Sequence, residues 1–549
     1  MLYAPPGEES HMVSSVGCCW GKGADPAKSV SLDREWKTWS NGWLTILVLG
    51  CVQVLAGCGG STSTSTTGTS TSTTEELGLS ISWTNSTMTN NTTPTLQVVV
   101  NPPLQPGQPL GAAAFSAVSA LGPDYMRYAA WFPYPKLAVA ELQPPTPQGT
   151  SWDFSLIDPI VQQYLTATEG HPALMSFSTI PQWMFVTSEP VTYPDDPTVE
   201  DWDYEQGTVL RDPTCQELAG YYTRMANWYV NGGFTDENGV LHESGYSYQF
   251  PVWEVFNEVD GEHDTTAEDY TMRYDAVVQG VRSASPNTKF MGPALADPGD
   301  DLDFIQYFLN PANHQPGIPV DYLSYHFYAV PASGETVDDW QYTFFEQADW
   351  FLGVVQSIET IRKNLSPQTK TDIDELGTIL PTDNTAADNI PPPPAYWNVS
   401  GAMYAYLYVE LARRQIDIVG ESQLVGFPSQ FPSVSMMDWV TYQPDARYWI
   451  LKLIKDNFHP GDTMVETALS DTSGGSPDDM EAQAFITPTG NKLLLVNKRN
   501  AVIGVLLPNA NSATALTVDL QSGEGPARSV SPANGILILQ PFAVTVVSW

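Results

Sequence analysis

From about residue 110 to residue 460, short apolar runs with strand spacing alternate with longer segments whose apolar residues recur every three or four positions. Residues 125–129 (YMRYA) read as a strand, and the segment 151–165 puts Leu156, Ile157, Ile160, Val161 and Tyr164 at helical spacing. Residues 172–180 (PALMSFSTI) form the next strand. Asp212 and Pro213 then open a helix with the stripe Leu218, Tyr222, Met225 and Tyr229, closed by Gly232 and Gly233. The cycle repeats through strands at 251–258, 289–295, 320–328 and 371–377. An eighth strand-like stretch falls at 433–439 (SVSMMDW), and a helix at 447–458 closes the series. About eight strand–helix units predict a (β/α)₈ barrel over 111–460. A doubly wound open sheet is the alternative, but no Gly-rich turn follows the first strand.

Beyond residue 461 helical periodicity disappears. Runs such as EAQAFITP, NKLLLVNK and FAVTVVSW are separated by Gly, Pro, Asn and Ser, which predicts a C-terminal β-sandwich over 461–549. Residues 76–110 have the same texture as far as about residue 100 and are expected to add strands to it.

The N-terminal part differs again. Trp43 to Leu55 is an apolar run too short to span a bilayer comfortably and suited to the core of a signal peptide. Leu55-Ala56-Gly57-Cys58 follows and resembles a lipobox, which makes Cys58 a lipidation candidate and 1–58 a leader. A plain secretory signal is the alternative. The Ser/Thr-rich stretch within 59–75 has nothing to bury and reads as a tether. The membrane is therefore expected as a partner only through a lipid, in a bacterial envelope lipoprotein or a secreted protein. Four of the five Cys lie before residue 59, leaving Cys215 without an intrachain partner in the body. The net charge of −39 argues against nucleic acid as a partner. Oligomeric state is not encoded in any pattern.

Two acidic strand ends carry candidate chemistry. In Trp253-Glu254-Val255-Phe256-Asn257-Glu258, alternation puts Glu254, Phe256 and Glu258 on one face, with Glu258 nearest the barrel mouth. The pair Asn257-Glu258 could equally cap the next helix. A deep Glu254 requires a cation, and Arg127 on an early strand is the candidate, for Glu254 or for Glu375. The second end is Asp372-Ile373-Asp374-Glu375, which taken alone could be a solvated loop or a weak metal site. Alternation points Asp374 away from Glu375. Together the two ends supply the paired carboxylates that glycosidic cleavage needs, one protonated and one ionised.

These residues carry a resemblance. Asn257-Glu258 on a fourth strand and Glu375 on a seventh resemble the clan A glycoside hydrolases. The chain is most similar to glycoside hydrolase family 39, which holds β-xylosidases and α-L-iduronidases. Residues 151–158 (SWDFSLID), 181–184 (PQWM), Tyr325-His326-Phe327-Tyr328 and the terminal β region extend the likeness over roughly residues 80–549. It implies Glu258 as acid/base, Glu375 as nucleophile, Asn257 on the sugar 2-hydroxyl, and His326 and Tyr328 lining the subsite. The departures are Val259 where the family usually has Pro, and Asp374 and Leu376 beside the nucleophile. Trp439, at the presumed eighth strand end, Trp183 and Trp131 are candidate sugar platforms, and each could instead be packing. The implied activity is retaining hydrolysis of plant or microbial oligo- or polysaccharides, with carboxyls about 5 Å apart. A glycan-binding lipoprotein without catalysis and a transglycosylase are the alternatives. No cofactor or metal is expected: the seven His are scattered, and Glu262-His263-Asp264 has no partner in view.

Overall fold

The computed structural model describes residues 75–205, 207–383, 392–426 and 431–549. The leader, Cys58 and the tether lie outside the described residues. Among those described, no helix is long and apolar enough to cross a membrane.

The chain opens with β1 (Glu75–Thr89) and β2 (Thr93–Val99), which go to different places. Strand β1 has one polar face and joins the C-terminal sheet, as its alternation predicts. Strand β2 is instead buried almost throughout and forms the first strand of the barrel. The expectation that residues 76–110 join the C-terminal domain as a unit is corrected here. Residues 95–100 (TLQVVV) hardly alternate, and a strand covered on both faces has no need to.

The remaining barrel strands are β3 (Met126–Ala129), β4 (Ala173–Ser176), β7 (Val252–Glu254), β8 (Lys289–Leu295), β9 (Tyr322–Ala329), β10 (Lys370–Thr378) and β11 (Ile418–Glu421). A small hairpin, β5 (Gly233–Thr235) with β6 (Leu241–Glu243), sits between β4 and β7. The eight barrel strands pair in parallel, and β11 returns to β2 to close the ring. A helix follows each strand, from Pro109–Leu121 after β2 to Ala446–Lys455 after β11.

The eighth strand is thus Ile418–Glu421, not the 433–439 stretch. The latter contains a 3-10 turn at Pro432–Val434 and a single bridge from Met437 to Pro444. A four-residue strand with Gly420 inside it offers little pattern to read. Leu156 is also displaced from its expected stripe: the helix begins at Asp158, and Leu156 is exposed.

After the barrel come β12 (Thr463–Asp471), β13 (Met480–Thr487), β14 (Gly490–Asn497), β15 (Ile503–Leu506), β16 (Thr514–Val518), β17 (Arg528–Val530), β18 (Ile536–Leu539) and β19 (Val544–Ser548). With β1 they form one continuous nine-stranded sheet. The sheet curls so that Leu537 and Val505 from one end share a core with Leu493, Ala515 and Val547 from the other.

Candidate active site

The site is built from the C-terminal ends of β2, β3, β7, β9, β10 and β11, and Arg127 is its centre. This guanidinium is 1% exposed. Its Nε lies 2.5 Å from Glu254 and 3.0 Å from Asp374. Nη1 donates to Gln97 at 2.7 Å and to Glu375 at 2.6 Å, and Nη2 donates to the Asn257 amide oxygen at 2.7 Å. Arg127 therefore serves Glu254 and Glu375 together. A planar fork with five donors can do so, whereas an ammonium could not.

Glu258 reaches the mouth by a route that alternation does not describe. Strand β7 ends at Glu254, and Phe256 and Glu258 both have positive φ, at 69° and 41°. Phe256 turns out to pack against Tyr222 and Tyr270, so it does not share a face with Glu254. Glu258 does not cap the following helix; Thr266 does. The Glu258 carboxyl is buried. Its Oε1 lies 3.0 Å from His326 Nδ1, and its Oε2 has no hydrogen-bond partner.

Glu375 has both oxygens engaged, Oε1 by Arg127 and Oε2 by the Tyr328 hydroxyl at 2.6 Å. Tyr328 also bonds Ser422, whose hydroxyl accepts from Gln97 at 2.6 Å. Asn257 donates to Glu262 at 3.1 Å, so its amide is oriented from both ends.

Asp374 is where the structure overturns the alternation argument. The pairing of β10 with β9 shifts register between Asp372 and Glu375, and its pairing with β11 shifts between Ile373 and Leu376. Such a bulge lets consecutive side chains face the same way. Asp374 and Glu375 accordingly both meet Arg127. Gly420 on β11 makes room, since a Cβ there would stand 2.9 Å from the Asp374 carbonyl oxygen.

The charges sort by environment. Burial pushes Glu258 up to about 8, with His326 pulling it back and Glu375 adding to the rise. Burial likewise lifts Glu254 to about 8 against the pull of Arg127. Burial would raise Asp374 too, but Arg127 and His326 outweigh it and hold Asp374 below the usual carboxylate range. Burial would discharge His326, yet Glu375 and Asp374 keep it well above the usual imidazole value. The site therefore holds two carboxyls that burial keeps protonated, Glu254 deep in the barrel and Glu258 at the mouth, beside an Asp374 held ionised by cations.

One oxygen each from Glu258 and Glu375 and one nitrogen of His326 lie within 4.8 Å of one another. That triangle has the size of a cation site. However, both oxygens of Glu375 are already taken, and His326 Nδ1 faces Glu258, so the donor set suits a proton better than a metal ion.

Glu258, Glu375, Asn257, His326, Tyr328 and Arg127 come together as one site. Two expected platforms do not join these contacts. Trp183 is buried, donates to the Glu141 carbonyl at 2.7 Å and carries Arg211 over its ring at 4.4 Å. Trp439 lies beyond the true eighth strand and donates to the Gly426 carbonyl at 3.0 Å. Trp131 packs among Phe132, Trp202 and Phe431. The sequence reading missed Gln97 and Ser422. Gln97, a lone amide within an apolar run, was a signal, while Ser422 was not distinguishable from any loop serine.

The barrel and its paired carboxylates are those of a glycoside hydrolase, and comparison with known proteins agrees. The model of the family "Glycosyl hydrolases family 39" matches residues 242–396, which include Glu258, His326, Tyr328 and Glu375. Over those residues the chain is similar to family 39. Solved structures of similar fold include the GH51 arabinofuranosidase from Xanthomonas axonopodis pv. citri, with a TM-score of 0.58 at 13% identity over 86% of this chain and 99% of that one. Another is the α-L-arabinofuranosidase from Thermotoga maritima in its arabinose complex, with a TM-score of 0.55 at 14% identity, covering 86% and 99%. A third is a bifunctional glucanase-xylanase from a metagenome library, with a TM-score of 0.53 at 13% identity, covering 86% and 98%. No curated protein matches the chain in sequence.

Proposed function

We propose that this glycoside hydrolase acts with retention of configuration on β-xylosides of plant or microbial saccharides, with Glu258 as acid/base and Glu375 as nucleophile. The observation that carries the mechanism is the approach of the two carboxyls within 4.8 Å. Retaining enzymes hold their carboxyls roughly 5 Å apart, whereas inverting ones leave roughly 6.5–9.5 Å for a water. Glu258 uses the partnerless Oε2 to protonate the leaving oxygen. Glu375, paired with Arg127 at 2.6 Å, attacks the anomeric carbon. Water then hydrolyses the glycosyl ester with Glu258 as base. Asn257, oriented by Arg127 and Glu262, is the candidate for the sugar 2-hydroxyl, and His326 and Tyr328 line the subsite.

Charge favours a neutral sugar over a uronic acid. Arg127 and His326 are each held by acidic groups already, and a substrate carboxylate would meet Glu258, Asp374 and Glu375. The apolar run before Cys58 and the Ser/Thr tract support an exported, lipid-anchored enzyme.

The test is kinetic. On 2,4-dinitrophenyl β-xyloside, Glu258→Ala is expected to release a burst of dinitrophenol and then stall by about 10²–10⁴-fold. Azide should relieve the stall and give a product of retained configuration. Glu375→Ala should be inactive, and azide should give the inverted product. The same azide stereochemistry from both variants would overturn the assignment of roles. Turnover of a uronide but not of a xyloside would overturn the substrate class.

A further inference from the structure

His326 stands between three carboxyl groups. Nδ1 is 3.0 Å from Glu258 Oε1 and 3.6 Å from Glu375 Oε2, and Nε2 is 3.6 Å from Asp374 Oδ1, with no hydrogen-bond partner of its own. All four side chains are buried. The remaining ionisable groups here are Arg127 on β3, which anchors Asp374, Glu254 at the end of β7, which burial keeps protonated beside Asp374, and Asp260 and Asp297 beyond the ends of β7 and β8. The bulge in β10 is what lets Asp374 and Glu375 face this cluster together.

The catalytic cycle changes this cluster. At the start Glu258 carries its proton on the free Oε2, and His326 is held as an imidazolium by the anions Glu375 and Asp374. In the first half, Glu258 gives its proton to the leaving oxygen. Glu375 bonds the anomeric carbon, so its negative charge becomes a neutral ester. One proton then remains for the Glu258–His326 pair, along a 3.0 Å contact. If it sits on His326, Glu258 is a carboxylate and can accept a proton from water. If it moves to Glu258, the site has no base.

We propose that Asp374 is a positioning residue that keeps this proton on His326 while Glu375 is esterified, so that Glu258 stays ionised as the base of the second half-reaction. In that step water adds its oxygen to the anomeric carbon and its proton passes to Glu258. The bond to Glu375 breaks, and its electron pair returns to the carboxylate. Asp374 is suited to the task because it takes no part in bond making, so its charge persists through the whole cycle. Arg127, 3.0 Å from its other oxygen, keeps it ionised. The proposal rests on the retaining assignment above.

The Asp374→Asn variant tests it, since it keeps the shape and removes the charge. On 2,4-dinitrophenyl β-xyloside, kcat is expected to fall at least about tenfold, within the range for loss of general base help. The value of kcat/KM, which reports the first half-reaction, should stay within about threefold, with a burst preceding the slow phase. Azide needs no base and should restore the steady rate. The acid limb of kcat should move to higher pH. Equal losses in kcat and kcat/KM, with no burst and no azide response, would mean a merely structural role and overturn the proposal.

A second measurement needs no variant to fold. The chain has seven His, few enough to follow His326 by nitrogen NMR of labelled protein. After trapping with 2-deoxy-2-fluoro-β-xylosyl fluoride, His326 should keep imidazolium shifts at neutral pH. A neutral imidazole in the trapped enzyme sinks the role of Asp374 while leaving the retaining assignment intact. Failure to trap any glycosyl-enzyme, with Glu258→Ala also insensitive to azide, would bring down the retaining assignment and this proposal together.

Discussion

At the residue scale, the centre of the site is a cation rather than a carboxylate. Arg127 meets Glu254, Asp374, Glu375, Asn257 and Gln97 with three nitrogens. Removing one partner of a buried ion pair leaves the others uncompensated, at a cost of about 3–5 kcal/mol. Arg127→Met is therefore expected to lose about that much stability in urea denaturation, together with turnover. Arg127→Lys keeps the charge but offers a compact ammonium with three donors in place of a planar fork with five. It should recover part of the stability and still lose at least about a hundredfold in kcat/KM, because Glu375 and Asn257 are no longer oriented together. A Lys variant with full activity would show that charge alone suffices.

At the element scale, the seventh barrel strand matters for its irregularity. A regular β10 would put Asp374 and Glu375 on opposite faces, so Arg127 and His326 would lose one of their two anions. The bulge is accommodated where Gly420 lets the backbone of β11 come close to Asp374. Gly420→Ala places a methyl 2.9 Å from the Asp374 carbonyl oxygen and 3.3 Å from its Cα, both backbone atoms that cannot swing aside. Overpacking of this kind costs about 1–3 kcal/mol. We expect that loss in chemical denaturation, and at least a tenfold drop in kcat/KM, since a misplacement near 1 Å can cost about 10²-fold. Unchanged kinetics would show that the bulge does not depend on Gly420.

At the scale of the whole molecule, the acidic surplus sets the pH response of stability. Burial lifts Glu141, Glu254, Glu258 and Glu421 to about 8, and Asp297 and Asp445 to about 7. Between the ordinary carboxylate range and pH 8 the folded chain thus holds protons that the unfolded chain has released, so stability falls as pH rises through that window. Protonation also reduces the repulsion of a net charge of −39. The opposite trend sets in only at lower pH, where Asp236, held to about 2 despite partial burial by His242 and backbone donors, and Asp374 take up protons. Calorimetry should therefore find a higher melting temperature at pH 5 than at pH 8. A melting temperature equal or higher at pH 8 would show that these buried acids are already ionised in the fold.

The sequence by itself determined the barrel, the β texture of the C-terminal region and the two glutamates. Each rests on a local pattern: alternating strand and helix periods, turn residues between short apolar runs, and carboxylates ending apolar segments. It also singled out Arg127, because a cation in an apolar strand needs acidic partners wherever the strand is placed. Only the tertiary structure decided which acids those partners are. Arg127 and Glu375 are brought together by barrel closure; Gln97 meets them from β2, which local pattern read as a strand but assigned to the C-terminal domain, and Ser422 from just beyond β11, which local pattern did not identify. The direction of Asp374 was decided the same way. Alternation assumes a regular pleat, and whether a pleat slips by one residue depends on the neighbouring strands, here β9 and a β11 with Gly420 in it. Local spacing encodes what a segment becomes; the meeting of side chains far apart in the chain depends on register, which only the paired strands set.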